Sequence, residues 1–348
     1  MNFLKKILIL LLTIVPFLLK GQDPSFSQFY FNQLYFNPAF CGISRGLNTS
    51  FTHRILWPGI PGKFNTSKFS ADMDMSSSLT NFGGLGLMVI NDIEGDGQLK
   101  TLTMQIPFSI RIQLHEKHTL QFAIPTSIIR KSINWNNFTF SDQYDEVHGK
   151  IYSTDFYYPD GTSTTVRDFS AGVLYEFINA PYKRTTIKRS SLRAGGALHH
   201  LFKPEFSFLN SSGRLPWKIV LHINGEMPLI NNDELIIAPA FVFEKQKSLN
   251  TFYTGSNAIW RNFFIGTWAR FGNHNSDAII ITSGVKFGES AKSYIYYARD
   301  LTISKLMSGT GGSHEISISY ILDEDFLNFI GIKKKKKTRV KKIYCPEF

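Results

Sequence analysis

Between residues 313 and 322 apolar and polar side chains take strict turns. Ile316, Ile318, Tyr320 and Leu322 fall on one face of an extended chain, and Glu315, Ser317 and Ser319 on the other. A period of two is the mark of a β-strand with two unlike faces. Leu102, Met104, Ile106, Phe108, Ile110, Ile112 and Leu114 repeat it against Thr103, Gln105, Ser109, Arg111 and Gln113. That run predicts a strand of about 13 residues, longer than globular-sheet strands and close to the roughly 9–11 that cross a bilayer at a tilt.

The same pattern predicts strands over 46–56, 64–76, 81–92, 99–114, 118–131, 166–178, 191–203, 215–229, 234–244, 249–259, 261–272, 277–288, 293–303 and 314–322. So many two-faced strands must pack as a sandwich or close into a barrel. Their length favours closure in a membrane, so the predicted fold is an all-β, transmembrane antiparallel β-barrel of about 14 strands, outer-membrane type, over residues 46–322. An even count returns the chain to the side from which it started. With residue 46 running outward, the outer connections are 57–63, 93–98, 132–165, 204–214, 245–248, 273–276 and 304–313. The inner ones are 77–80, 115–117, 179–190, 230–233, near 260 and 289–292. Long outside and short inside is the asymmetry of outer-membrane barrels. The turn 179–190 breaks it and carries Lys183, Arg184, Lys188 and Arg189.

The two ends read differently. Lys5 and Lys6 precede an apolar run, Ile7 to Leu19, that contains Pro16 and is followed by Lys20 and Gly21. This is the pattern of a signal peptide over 1–21, cleaved after Gly21, and the run is too short for a spanning helix. Residues 22–45 hold seven aromatics before the first strand and are expected as a packed segment on the periplasmic side. The net charge of +11 resides in Lys5, Lys6 and Lys20 and in the basic residues of 333–342, which leaves the remainder neutral. Residues 323–348 are therefore a basic periplasmic tail, suited to an acidic partner or to anionic headgroups. For an exported chain, nucleic acid is not the expected partner. The 14% aromatic content and a mean hydropathy near zero both suit a barrel with aromatic girdles. Cys41 and Cys345 stand at opposite ends of the chain, and sequence alone does not fix their pairing.

Candidate chemistry is sparse. His199 and His200 are adjacent, so on a strand they point to opposite faces and cannot share an ion, and His314 with Glu315 fails likewise. The loop 132–165 contains Asp142, Asp145, Glu146, His148, Asp155 and Asp160 without the alternation of a calcium loop. No cofactor and no enzymatic activity are expected. A charge on the lipid face costs about 2–4 kcal/mol at mid-depth, so Arg111 and Glu226 should face the lumen. With His222 they would set selectivity if the barrel were a general solute channel. A pore, a receptor and an anchor all fit the residues, and a secreted β-sandwich is the remaining reading.

Residues 22–42, QDPSFSQFYFNQLYFNPAFCG, are similar to the opening of the PorP/SprF family of type IX secretion outer-membrane proteins. The resemblance continues through Arg54, Trp57 and Pro58, the run Phe140 to Asp145, His200 with Pro204, Trp268 with Arg270, Asp300 to Ile303, and Ser313 to Ile316. His53 and Arg299 stand where the family tends to have Tyr. The resemblance implies an accessory barrel without chemistry of its own, placed in the bacterial outer membrane. It would pair with a large secreted surface protein of adhesin or gliding type, through that protein's C-terminal region, and support its export or anchoring. The candidate contact residues are Asp142, Tyr144 and Asp145 for the secreted partner. For periplasmic secretion-machinery components they are Lys333, Lys334, Lys335, Arg339 and Lys341.

Overall fold

Period-two segments bury one face only when a second surface covers it, and here the covering surface is the barrel's own interior. The computed structural model describes residues 23–44, 46–75, 82–95, 97–145, 147–157, 163–179, 190–206, 213–229, 232–273, 277–288, 291–303 and 307–322. Its strands are β1 (Leu47–Leu56), β2 (Lys63–Asp74), β3 (Phe82–Gly95), β4 (Leu99–Ile106 with Phe108–His115), β5 (His118–Ala123 with Thr126–Ser132), β6 (Ser163–Phe169 with Ala171–Ile178) and β7 (Ser191–His199). They continue as β8 (Lys218–Leu229), β9 (Asn232–Gln246), β10 (Leu249–Trp260), β11 (Phe263–Gly272), β12 (Ala278–Phe287), β13 (Ala291–Thr302) and β14 (Ser313–Leu322). Each of the fourteen expected segments becomes one of these strands.

Every neighbouring pair is antiparallel, and β1 pairs with β14 from Leu47↔Leu322 to Leu56↔Ser313, which closes the barrel. Closure leaves no sheet edge with unpaired backbone groups, the condition for crossing lipid with strands. Side chains sort by parity. On β14 Glu315 and Ser317 are fully enclosed, while Ile316 and Ile318 are about half exposed, at 49% and 48%. The outward set also includes Phe51, Phe69, Met104, Ile106, Phe108, Ile110, Phe122, Ile128, Leu221, Ile223, Ile265, Ile279 and Ile281. That apolar outer wall is a lipid-facing band.

The long alternating run of β4 is interrupted at Pro107, which has no N–H to give the ladder. The break is shared by its neighbours. Pro107 O accepts from Gly86 N at 3.0 Å, Phe108 O from Ile124 N at 3.2 Å, and Pro125 O from Ser170 N at 3.2 Å, so β4, β5 and β6 step together. β7 ends at His199 rather than running to 203, because His200 takes a left-handed backbone with φ 60°.

The connections expected on the inner side, such as 116–117 and 261–262, are tight, while those expected outside include 133–162 and 200–217. Among the described residues no helix is long and apolar enough to cross a membrane. Residues 1–22, the turn 180–189 and residues 323–348 lie outside the described residues, with them the expected signal peptide, the basic turn, the basic tail and Cys345.

One expectation is corrected. The segment placed on the periplasmic side, 22–45, has its described part, 23–44, inside the barrel. Phe26, Phe36, Ala39, Asn32 and Asn37 are all fully enclosed there or nearly so. The physical reason is mutual need: a closed 14-stranded wall lined with polar groups leaves a lumen to fill, and an aromatic-rich segment needs cover from water.

A charge placed on the outer wall tests the membrane assignment. Ile106→Arg, near the middle of β4 and lipid-facing, should cost about 2–4 kcal/mol, read as a lower denaturant midpoint in lipid vesicles. An unchanged midpoint would mean that this wall does not face hydrocarbon.

Candidate functional site: the plugged lumen and the outer loop

The plug descends through the lumen from the outer end to the inner end. Asp23 N donates to Gln246 Oε1 (3.1 Å) at the outer end of β9. Asn37 lies against β6, and Gly42 N donates to Asp72 Oδ2 (2.8 Å) near the inner end of β2. A single helical turn, α1 (Gln33–Phe36), and a 3₁₀ turn, Pro38–Phe40, form its centre. Asn37 caps the second turn by accepting from Ala39 N at 2.9 Å. Its amide also donates to Val173 O (2.9 Å) and to His222 Nε2 (3.0 Å). Space for it exists because β6 and β7 carry Gly172 and Gly195 there; a Cβ on Gly172 would stand 2.3 Å from Asn37 Oδ1.

The wall contributes full charges. Glu315 accepts from Ser27 N (2.6 Å), Gln28 N (3.3 Å) and Asn32 Nδ2 (3.0 Å). Lys68 Nζ donates to Phe31 O at 2.9 Å. Arg54 donates to Ser25 O, to Ser25 Oγ (2.8 Å) and to Asp300 (3.1 Å), and Asp300 also receives Arg270 at 2.7 Å. Lys218 Nζ reaches Tyr35 OH at 2.9 Å and Glu244 at 3.1 Å. Each of these buried charges thus meets an opposite charge or the plug's backbone, the condition under which burial is tolerated.

Aromatic packing fills the space between these anchors. Phe26 meets Tyr35 edge-on at 4.9 Å, Phe29 lies 5.4 Å from Phe36 and 5.5 Å from the His222 ring, and Tyr30 meets Trp268 at 6.0 Å. Fully burying each such ring contributes about 1.5–3 kcal/mol. On the inner side the packing stops, leaving a cavity of about 480 Å³ lined by Tyr30, Leu34, Ile259, Phe264, Arg193 and Glu226.

The lumen residues singled out for a channel are therefore largely engaged. Arg111 donates to Gly42 O, to Gln121 Oε1 (3.0 Å) and to Asp74 (3.5 Å). His222 is held by Asn37, and Glu226 pairs with Arg193 at 3.6 Å beside the cavity. Arg111 and Glu226 do face inward, as the cost of a charge in lipid requires.

His199 and His200 differ from the expectation of opposite faces. The left-handed backbone at His200 turns its ring back toward the lumen. There Nδ1 lies 2.9 Å from Asp168 and Nε2 2.8 Å from Asp23, while His199 Nε2 lies 3.3 Å from Phe36 O. With both nitrogens of His200 committed to carboxylates, it clamps the start of the plug. Cys41 Sγ is buried and donates to Pro107 O at 3.5 Å. Among the described residues no set of three His, Cys, Asp or Glu is placed to hold a metal.

Of the residues expected to meet partners, the structure brings together the three in the outer loop. Asp142 accepts from Thr154 Oγ1 (2.7 Å) and Asp155 N (2.8 Å). Asp145 accepts from Val147 N and His148 N, both at 2.9 Å, and from Tyr152 OH at 3.2 Å. The N–H groups of His148 and Val147 hold the Asp145 carboxyl down to about 2. These two acids thus shape the loop, and Tyr144 is the member that projects. The same loop carries Val147, Ile151, Tyr152 and Tyr157, all more than half exposed, and the stacked rings of Phe140 and Phe156 at 4.5 Å. Lys333, Lys334, Lys335, Arg339 and Lys341 lie outside the described residues.

Sequence reasoning missed the plug anchors. A signal existed: Arg54, Lys68, Arg270, Asp300 and Glu315 all sit at inward positions of predicted strands, where full charges demand partners.

Residues 18–320 match the family model described as Type IX secretion system membrane protein PorP/SprF. No curated protein matches the chain at a significant level. Among solved structures it is similar to the CymD monoaromatic hydrocarbon channel, with 12% identity, TM-score 0.45, and coverage of 84% of this chain and 92% of that one. The toluene transporter TodX of P. putida matches with 7% identity, TM-score 0.44, and coverage of 82% and 92%. A FadL homologue from Pseudomonas aeruginosa matches with 10% identity, TM-score 0.38, and coverage of 80% and 89%.

Removing one anchor should release the plug. Glu315→Ala strands Ser27 N, Gln28 N and Asn32 and leaves Arg54 and Lys68 less compensated, a loss of about 3–5 kcal/mol. The expected outcome is a lowered unfolding midpoint together with steady conductance in planar bilayers. A variant as stable and as silent as the parent would show that Glu315 does not hold the plug.

Proposed function

Because the chain belongs to the PorP/SprF family of type IX secretion system membrane proteins, we propose that it is an accessory barrel that binds a large secreted surface protein, of adhesin or gliding type, and supports its export or anchoring. A membrane protein of that system folded as a closed barrel with an apolar outer wall is an outer-membrane barrel. The binding role is the inference.

What carries it is the outer loop 133–162. It presents Tyr144, Val147, Ile151, Tyr152 and Tyr157 to solvent on a frame fixed by Asp142 and Asp145. Exposed aromatics on a well-held loop are what a protein interface needs, since rigid aromatic side chains dominate binding energy. The plug supports the same reading, because a lumen filled from Asp23 to Gly42 suits a docking body better than an open conduit. The work is association alone, so no group is assigned a catalytic role.

The secreted protein's C-terminal region is the element expected on the outer loop. The basic residues Lys333, Lys334, Lys335, Arg339 and Lys341 are expected to meet acidic surfaces of the periplasmic machinery. The channel reading keeps one supporting observation, the inner cavity beside Glu226 and Arg193.

Gentle detergent purification followed by identification of retained proteins separates the readings. The native chain should retain one very large secreted protein, and Tyr144→Ser with Tyr157→Ser should lower that retention at least tenfold. Deleting 333–348 should leave the barrel folded and reduce export of the same protein. Retention unaffected by the loop substitutions, with a steady open current from the native chain, would favour the channel.

A further inference from the structure

The outer wall is not uniformly apolar. Lys100 on β4, Arg130 on β5 and Arg167 on β6 all point outward and are exposed. The register places them side by side. Lys100 pairs with Ser132 and Leu102 with Arg130, so Lys100 and Arg130 are diagonal neighbours on one face. Arg130 pairs with Thr165 and Ile128 with Arg167, which makes Arg130 and Arg167 diagonal neighbours too. Side chains in that relation start about 7–8 Å apart, within reach of one small ligand for residues this long.

Among the described residues none of the three has a carboxylate partner; the contact formed is Arg130 Nη2 to Ser163 Oγ at 3.5 Å. The acids nearby, Asp92, Glu94 and Asp168, alternate with the outward set: Asp92 and Asp168 are buried in the interior, and Glu94 stands exposed at the strand end, opposite Leu99. Toward mid-membrane the outward residues are apolar, among them Met104, Ile128 and Phe169, while the polar Ser132 and Thr165 stand on the outer side.

Depth is graded. Lys100 stands one residue from the outer start of β4, Arg130 two from the outer end of β5, and Arg167 four from the outer start of β6. Long side chains at such positions reach up toward the interface and leave their stems on apolar surface. Three cations converging on the headgroup level, with no acid among them, require an anion from outside the chain. The anions found at that depth of a membrane are lipid phosphates.

We propose that Lys100, Arg130 and Arg167 form a docking site for the phosphate-bearing headgroup of an outer-leaflet lipid, whose acyl chains lie along Met104, Ile128 and Phe169. Arginine suits this role because its planar fork meets phosphate oxygens in pairs. The site is independent of the role proposed for the outer loop.

Native mass spectrometry of the full chain, extracted from outer membranes in mild detergent, reads the bound species directly. The native chain should carry a phosphorylated, acylated lipid. Arg130→Gln with Arg167→Gln should lower its retention about thirtyfold, at about fivefold per cation. Heat-modifiable gel migration confirms that this variant is folded. Arg299→Gln, on a distant part of the lipid-facing wall, should leave retention unchanged. Equal retention in the double variant, or an equal loss in Arg299→Gln, would overturn the proposal. Bound phosphorus without acyl chains, removable by dialysis, would overturn it in favour of free phosphate. A bound protein lost in place of a lipid would overturn it in favour of a protein interface.

Discussion

A charge enclosed by a β-barrel has nowhere to discharge its field except into the barrel's own contents. Glu315 is the clearest case, with no exposure and three N–H groups of residues 27, 28 and 32 turned toward it. Take the plug away and the carboxylate keeps only Arg54, whose Nε stands 4.0 Å off, and the more distant Lys68. An uncompensated buried charge costs several kcal/mol, more than the net stability of many domains can spare. The wall and the segment before β1 are therefore not separable parts.

The fold was legible because a two-residue period survives from 46 to 322 and because strand length distinguishes lipid from a globular core. Where the pattern failed, a backbone effect overrode it. Pro107 breaks an otherwise unbroken alternation by lacking an N–H, and His200 leaves the strand through a positive φ. Neither is visible in hydropathy alone. The plug was illegible for a different reason. Residues 23–44 have no period, since each side chain answers to whichever wall residue it meets, and those lie up to 288 positions away in sequence. Composition still marked the segment: seven aromatics next to Asn32 and Asn37 need both apolar cover and hydrogen-bond partners, and only an interior supplies both.

The outer loop shows the opposite relation between sequence and role. Asp142 and Asp145 stand out as exposed acids and read naturally as contact residues. Their carboxylates are spent on backbone and hydroxyl groups of the same loop. An acid two or three positions before a free N–H, as Asp145 is, tends to fold back on it, so local hydrogen bonding competes with any partner for the charge. The residues left facing outward are the less conspicuous Tyr144, Val147 and Tyr157.

The plug also bears on how the barrel stays closed. β1 and β14 are the chain's first and last strands, and their pairing is the seam that any cylindrical sheet must make over the longest sequence distance. Arg54 lies on β1, Glu315 on β14 and Asp300 on β13, and the plug crosses this seam at Ser25, Ser27 and Gln28. The ladder bonds of the seam are no stronger than those elsewhere, but here they are backed by ion pairs and by plug contacts that bridge both strands. Opening the seam would separate Arg54 from Glu315 and pull the plug from both at once. The segment that blocks the lumen thus also pins the joint that encloses it, which couples closure of the wall to occupation of its interior.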